Sequence, residues 1–303
     1  MLAAIGFIVS WSSGFVIAAV AVVDVPATTL LVWRFAPLAV ILVVVTLASG
    51  AVRGVTRTEL RQQAVIGLFA QFGYITFVYA AIGAGITTGT SALIDAVQPL
   101  VVATLVGPLL GLRVRGAQWA GLAVGALGVV LVVRSQIGGA AAHPIAYLLP
   151  ALAMICLIVG TFVERRSRVK TPVLVTLTVH VVVTSFALIV IAVVTGALLP
   201  PATLTFWLAT VISAFVPTLG AYGLYWWLLR RVGITALNAL LFLVAPTTAL
   251  VGAVLLGEPL TLMTLAGFAL CGLGVAVVLF TEARATRADA NTSSSTPEGI
   301  PAR

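Results

Sequence analysis

Ten apolar runs, each close to the roughly 20 helical residues that a hydrocarbon core requires, succeed one another near 2–23, 29–48, 63–83, 86–110, 117–134, 145–163, 172–196, 204–229, 234–256 and 262–281. Lipid offers the backbone no hydrogen-bond partner, so chains cross it as helices or as closed barrels, and unalternating runs of this length point to helices. Composition agrees, because 61% hydrophobic residues, 8% charged residues and a mean hydropathy of +1.22 lie far from the make-up of a water-soluble globule. The first run has no basic leader before it and no polar domain after it, which argues against a secreted protein. Residues 282–303, rich in Ala, Thr, Ser and charge, are expected to form a disordered, solvated cytoplasmic tail.

The net charge of +8 could suggest a nucleic-acid partner, but its placement argues for lipid headgroups. With a cytoplasmic N-terminus, every Lys and Arg except Arg34 and Arg134 falls in an inner connection or in the tail. That bias predicts an inner-membrane protein with both termini inside, a lipid bilayer as its surroundings, and no nucleic acid. Cys156 and Cys271 fall within apolar runs and read as packing residues rather than a disulfide or a metal pair.

The chain also repeats itself. Gly85 to Val133 is echoed by Gly233 to Leu279, each copy opening Gly-Ile-Thr and carrying a proline, Pro99 or Pro246, inside an apolar run. At a spacing of 146, Gly14 matches Gly160, Pro26 matches Pro172, Tyr79 matches Tyr225, Gly121 matches Gly267 and Gly128 matches Gly274. Five spans per copy is an odd number, so the halves must cross in opposite senses. The expected fold is therefore an all-α membrane protein of ten transmembrane helices in two inverted five-helix repeats, 1–138 and 139–281, with a site between them near the midplane.

This layout resembles the drug/metabolite transporter superfamily, specifically the EamA-like permeases. The residues that carry the resemblance are Trp11-Ser12-Ser13-Gly14-Phe15, Arg34-Phe35, Pro99 and Pro246, and the turn Gly257-Glu258-Pro259-Leu260. The first copy departs from the pattern, with Gly111-Leu112-Arg113 where the family commonly has Gly-Glu-Arg. The resemblance implies a secondary transporter that exports or exchanges a small metabolite, amino acid or drug by alternating access, with proton coupling as one route. A facilitator or importer of the same fold, or a membrane sensor that moves nothing, is the alternative. No phosphate-binding Gly-x-x-x-x-Gly-Lys-Ser/Thr loop, Gly-x-Ser-x-Gly elbow, His-Glu-x-x-His pair or Cys-x-x-Cys pair is present, so no enzyme, catalytic residue, metal or cofactor is expected.

Polar residues within the runs nominate the site. Thr88, Ser91, Asp95 and Gln98 fall on one face of a helix that reaches Pro99, and the ninth run answers with Thr235, Asn238 and, with the prolines aligned, Phe242 in the place of Asp95. Asp95 reads as the lone carboxylate of a small-molecule cavity, holding an amine or carrying a proton, or else as a permanent partner of Arg34. Counted along the helices, the two lie about 13 Å and about 8 Å below the outer boundary. Arg34 faces the cavity by family pattern, or snorkels to headgroups. His180, its repeat mate, reads as a packing histidine more readily than as a coupling residue. Trp11, Tyr74, Tyr79, Tyr222 and Tyr225 offer ring faces and hydroxyls to a substrate, or serve packing and interfacial anchoring, the expected role of Trp226 and Trp227. Gly121, Gly125 and Gly128 predict close helix contact, with a homodimer as one outcome.

Overall fold

The computed structural model describes residues 2–21, 25–86, 88–111, 114, 116–134, 143–167, 171–256 and 261–294. Asp24, Leu112-Arg113, Arg115, Arg168, Lys170, the repeat boundary near 138, the turn at 257–260 and the last nine residues lie outside them. All regular structure among the described residues is helical. In chain order the helices are α1 (Leu2–Ala21), α2 (Ala27–Ala48), α3 (Arg57–Gly67), α4 (Tyr74–Gly83), α5 (Thr88–Asp95), α6 (Gln98–Leu110) and α7 (Gly116–Arg134). They continue with α8 (Leu148–Arg166), α9 (Val173–Thr195), α10 (Leu204–Ser213), α11 (Gly223–Leu241), α12 (Val244–Leu256) and α13 (Leu262–Ser294). A π segment, Leu68–Gly73, joins α3 to α4, and a second, Ala214–Tyr222, joins α10 to α11.

Among the described residues, six helical stretches are long and apolar enough to cross a membrane, and two shorter apolar helices, Val244–Leu255 and Leu265–Thr281, accompany them. Their outer faces stay apolar: Val40 and Val44 on α2, Val193 and Val194 on α9, and Leu208 and Val211 on α10 are all exposed. Water would not tolerate such a surface at this scale, whereas lipid tails match it. The chain is a multi-pass membrane protein.

Two of the expected spans are broken where the sequence led us to expect continuous helix. α5 ends at Asp95, Ala96 and Val97 form a turn, and α6 begins at Gln98. Pro99 has no N–H for the Asp95 carbonyl four residues back, which removes one rung of the α-helical ladder here. The chain tightens instead, with Val97 donating to the Ile94 carbonyl at 3.2 Å. α11 ends at Leu241 and α12 begins at Val244, with Leu243 donating to the Leu240 carbonyl at 3.0 Å. The two turns, 96–97 and 242–243, are 146 positions apart, so the counterpart of Asp95 by the break itself is Leu241 and not Phe242.

The long spans α1, α2, α7 and α9 are apolar nearly all round, so contact selects their partners rather than amphipathicity. α2 packs along α9, α7 along α13, α1 on the second π segment and α8 on the first. The α7–α13 seam brings backbone against backbone: a Cβ at Gly128 would stand 2.6 Å from the Gly267 carbonyl oxygen, and one at Gly121 would stand 2.9 Å from that of Gly274. These glycines make the close helix contact expected of them, and they make it within the chain. Their pairing is reciprocal: Gly121, the earlier of the two in α7, meets the later glycine of α13, Gly274, and Gly128 meets the earlier, Gly267. α13 runs on to Ser294, into the segment expected to be disordered, because Glu282-Ala-Arg-Ala-Thr-Arg-Ala-Asp-Ala is rich in strong helix formers and extends a helix already nucleated.

Candidate functional site

The site starts from a missing N–H. Pro217, inside the second π segment, cannot donate to the Ser213 carbonyl four residues back. Thr218 Oγ1 donates to that carbonyl at 2.9 Å and, through its free lone pair, accepts from Arg34 Nε at 2.8 Å. Arg34 Nη1 donates to the Tyr79 hydroxyl at 2.9 Å, and the guanidinium carbon lies 5.0 Å from the Phe35 ring centre and 5.7 Å from that of Tyr79. Arg34 is 0% exposed, which overturns the snorkelling reading, and its Nη2 has no hydrogen-bond partner.

Trp11 stands at the centre of an aromatic cluster. Its ring lies 5.3 Å from Phe7, 5.5 Å from Tyr74, 5.3 Å from Tyr222 and 5.2 Å from Tyr225, centre to centre. Trp11 Nε1 donates to the Tyr74 hydroxyl at 3.1 Å, which in turn donates to Asp95 Oδ2 at 2.8 Å. Thr161 gives its hydrogen to the Leu157 carbonyl, so in its 2.6 Å bond to Tyr225 the tyrosine is the donor. Between Trp11, Phe15, Arg34, Tyr74, Tyr79 and Tyr222 lies a cavity of about 20 Å³, room for about one water. Phe7 was not singled out from sequence and Phe15 only as part of the run Trp11 to Phe15, although their spacing of four on either side of Trp11 places all three on one face of α1.

Asp95 is buried, and its Oδ1 has no partner. Asp95 and Arg34 make no ion pair, so the permanent-pair reading does not hold; among the described residues the ion pair is Arg230–Glu164. Gln98 Nε2 donates to Asn238 Oδ1 at 3.0 Å, joining α6 to α11 beside the two breaks, and Asn238 Nδ2 donates to the Ile234 carbonyl at 2.8 Å. Ser91 is buried with its hydroxyl unpartnered. Phe242 does not join this group, because its buried ring lies against Gly125 on α7.

His180 belongs elsewhere. Its ring packs on Gly67 and meets Trp226 edge-on at 5.2 Å, and its Nε2 lies 3.1 Å from Gln63 Oε1. Gln63 Nε2 donates to Glu164 Oε2 at 2.8 Å, and Arg230 donates to Glu164 Oε1 through Nε at 3.1 Å and Nη2 at 2.7 Å. Arg230 Nη2 also reaches Thr176 Oγ1 at 3.0 Å, and Nη1 donates to the Thr171 carbonyl. This network ties α3, α8, α9 and α11 together at the arginine-rich end. One signal for it was legible: Glu164 sits in the last turn of α8, where the helix dipole disfavours an acid unless a cation pairs with it. Trp226 is fully buried rather than interfacial, whereas Trp227 is exposed. Cys156 and Cys271 are unpaired, and no group of three metal-ligating side chains gathers among the described residues.

A solved crystal structure that is 22% identical in sequence superposes with a TM-score of 0.74, covering 93% of this chain and 97% of its own, and so shares the fold. A probable amino-acid metabolite efflux pump of Salmonella typhimurium is 26% identical over 223 residues, which is 71% of this chain and 75% of that protein. The model of the EamA-like transporter family matches residues 1–134 and again 144–280. With matches across nearly its whole length, this chain belongs to the EamA-like transporter family.

Proposed function

We propose that this protein is a secondary transporter that exports or exchanges a small amino-acid-like metabolite across the inner membrane, by alternating access between two inverted five-helix halves. The observation that carries the substrate class is the pair of opposite charges left unjoined around Tyr74. The Tyr74 ring walls the cavity of Arg34, whose Nη2 is free, and its hydroxyl holds Asp95, whose Oδ1 is free. A buried charge of either sign is costly without a counter-charge. A zwitterion supplies both, with its carboxylate on Arg34 and its ammonium on Asp95 and the aromatic faces of Trp11 and Tyr222. The efflux-pump relative supports the same class and the outward direction.

The inverted-repeat arrangement is supported by the broken helices at 96–97 and 242–243, by π segments that begin at Leu68 and Ala214, again 146 apart, and by the reciprocal glycine seam. Breaks of this kind at matching positions of two halves are a hallmark of transporter binding sites. A cavity with room for about one water is a closed state, so loading requires the aromatic walls to part. Asp95 then serves coupling as well, taking a proton when the ammonium leaves.

Counterflow of radiolabelled amino acids into proteoliposomes tests this reading. Wild type should accumulate label, and folded Asp95→Asn protein should not. Undiminished counterflow by Asp95→Asn sinks the role of the carboxylate, and saturable binding without any flux by wild type identifies a sensor instead.

A further inference from the structure

An open groove of about 460 Å³ lies at the arginine-rich end, between the start of α9 and the first half of α11, walled by Val173, Trp227, Arg230 and Arg231. It adjoins a second, of about 400 Å³, which shares Val173 and Trp227 and continues along Ala3 of α1 and Leu219, Gly220 and Leu224. The first is basic at its mouth and the second apolar throughout. The two cations at the mouth differ in what holds them. Arg230 is engaged by Glu164, Thr171 and Thr176. Arg231 is exposed, lies with its guanidinium carbon 5.5 Å from the Trp227 ring centre, and has no acidic partner among the described residues.

We propose that these adjoining grooves form one site for an anionic phospholipid, whose headgroup phosphate sits against Arg231 and Arg230 and whose acyl chain lies in the trough between α1 and the second π segment. Charge complementarity selects the head, and the apolar trough selects a lipid over a free anion. Trp227 suits the border between them, since its ring takes chain contact on one side and a guanidinium on its face. The glycine at 220 lets α1 lie close against the second π segment, since a Cβ there would stand 3.3 Å from Ser10 Oγ. The grooves lie among the arginines that the charge bias assigns to the cytoplasmic leaflet, where anionic headgroups are met. A seated lipid would bridge α1, α9 and α11, the helices that also carry Trp11, His180 and Arg230. The site depends on membrane insertion alone and not on what the protein transports.

Native mass spectrometry of the full chain, released from detergent micelles holding phosphatidylglycerol or phosphatidylcholine, tests it. Wild type should retain one phosphatidylglycerol in preference to phosphatidylcholine by at least the roughly fivefold that one interfacial charge is worth. Arg231→Ala should remove the preference. Ala3→Phe, which fills the trough and leaves every charge in place, should lower retention of both lipids. Size-exclusion and thermal melting establish that each variant is folded. Equal retention of the two lipids by wild type, an unchanged preference in folded Arg231→Ala, or displacement of the lipid by millimolar inorganic phosphate each overturns the proposal, the last by making the mouth a free-anion site.

Discussion

Arg34 and Asp95 share Tyr74 and do not pair: the tyrosine ring walls the cavity of one, and its hydroxyl donates 2.8 Å to a carboxylate oxygen of the other. Each charge is held by neutral groups, Thr218 and Tyr79 for the arginine and Tyr74 for the aspartate, and each keeps one polar atom unpartnered. Direct pairing would neutralise both and leave nothing for a ligand. Their separation by an aromatic wall keeps two opposite charges in reserve in a water-poor interior.

Arg34→Met is therefore expected to fold. Removing a buried charge that has no counter-ion lifts a desolvation cost, and methionine conserves much of the length. The same variant should lose transport of amino acids bearing a free carboxylate while still moving the corresponding amines. Proteoliposome uptake of paired substrates, amino acid against decarboxylated amine, reads this directly; equal losses for both would remove the arginine from carboxylate binding.

Thr218→Val is close to isosteric and deletes both of the bonds that the hydroxyl makes. It leaves the Arg34 Nε without its acceptor and the Ser213 carbonyl with one bond fewer, a loss of about 1–3 kcal/mol for a buried polar group left unsatisfied. Thr218→Ser keeps the hydroxyl and should retain most of that stability. Thermal unfolding of both variants in one detergent checks the order, and the reverse ranking would show that the methyl group, not the hydrogen bonds, matters here.

Gly274→Ala should destabilise by about 1–3 kcal/mol through overpacking, since its Cβ would meet the Gly121 carbonyl oxygen at 2.5 Å and the Gly125 nitrogen at 2.6 Å. Gly272→Ala, two residues away with no atom within 4 Å, should be neutral or gain about 0.5–1 kcal/mol from helix propensity. Melting temperatures that fall equally in the two variants would mean that α7 and α13 are not held by close backbone contact.

Glu164 and Arg230 should be coupled. A double-mutant cycle with Glu164→Gln and Arg230→Met is expected to give about 0.5–3 kcal/mol of interaction energy, because the pair is one node of a shared network that includes Gln63 and Thr176. Loss of the pair should also make cysteines placed near Thr171 more reactive to aqueous thiol reagents added on the arginine-rich side. Additive single effects with unchanged labelling would reduce the pair to a solvated contact.

The amino-acid sequence by itself determined that the chain lives in a membrane, that it is helical, and that its halves echo each other, because length of apolar run and spacing of Gly and Pro are local properties. It also picked out Trp11, Tyr74, Asp95 and Arg34, since polar and aromatic groups inside such runs are rare enough to stand out. Which of them meet was decided only by the tertiary structure. Helices that are apolar on nearly every side, as α2, α7 and α9 are, carry little marker of which face turns inward, so the separation of Arg34 from Asp95, the removal of His180 to the network of Glu164 and Arg230, and the use of Gly121 and Gly128 within one chain all depended on which helices became neighbours. The breaks after Asp95 and Leu241 lie between these cases. Pro99 and Pro246 stand beside them, yet the runs around these prolines read as continuous helix, and packing against the rest of the bundle set the register in which the breaks fell.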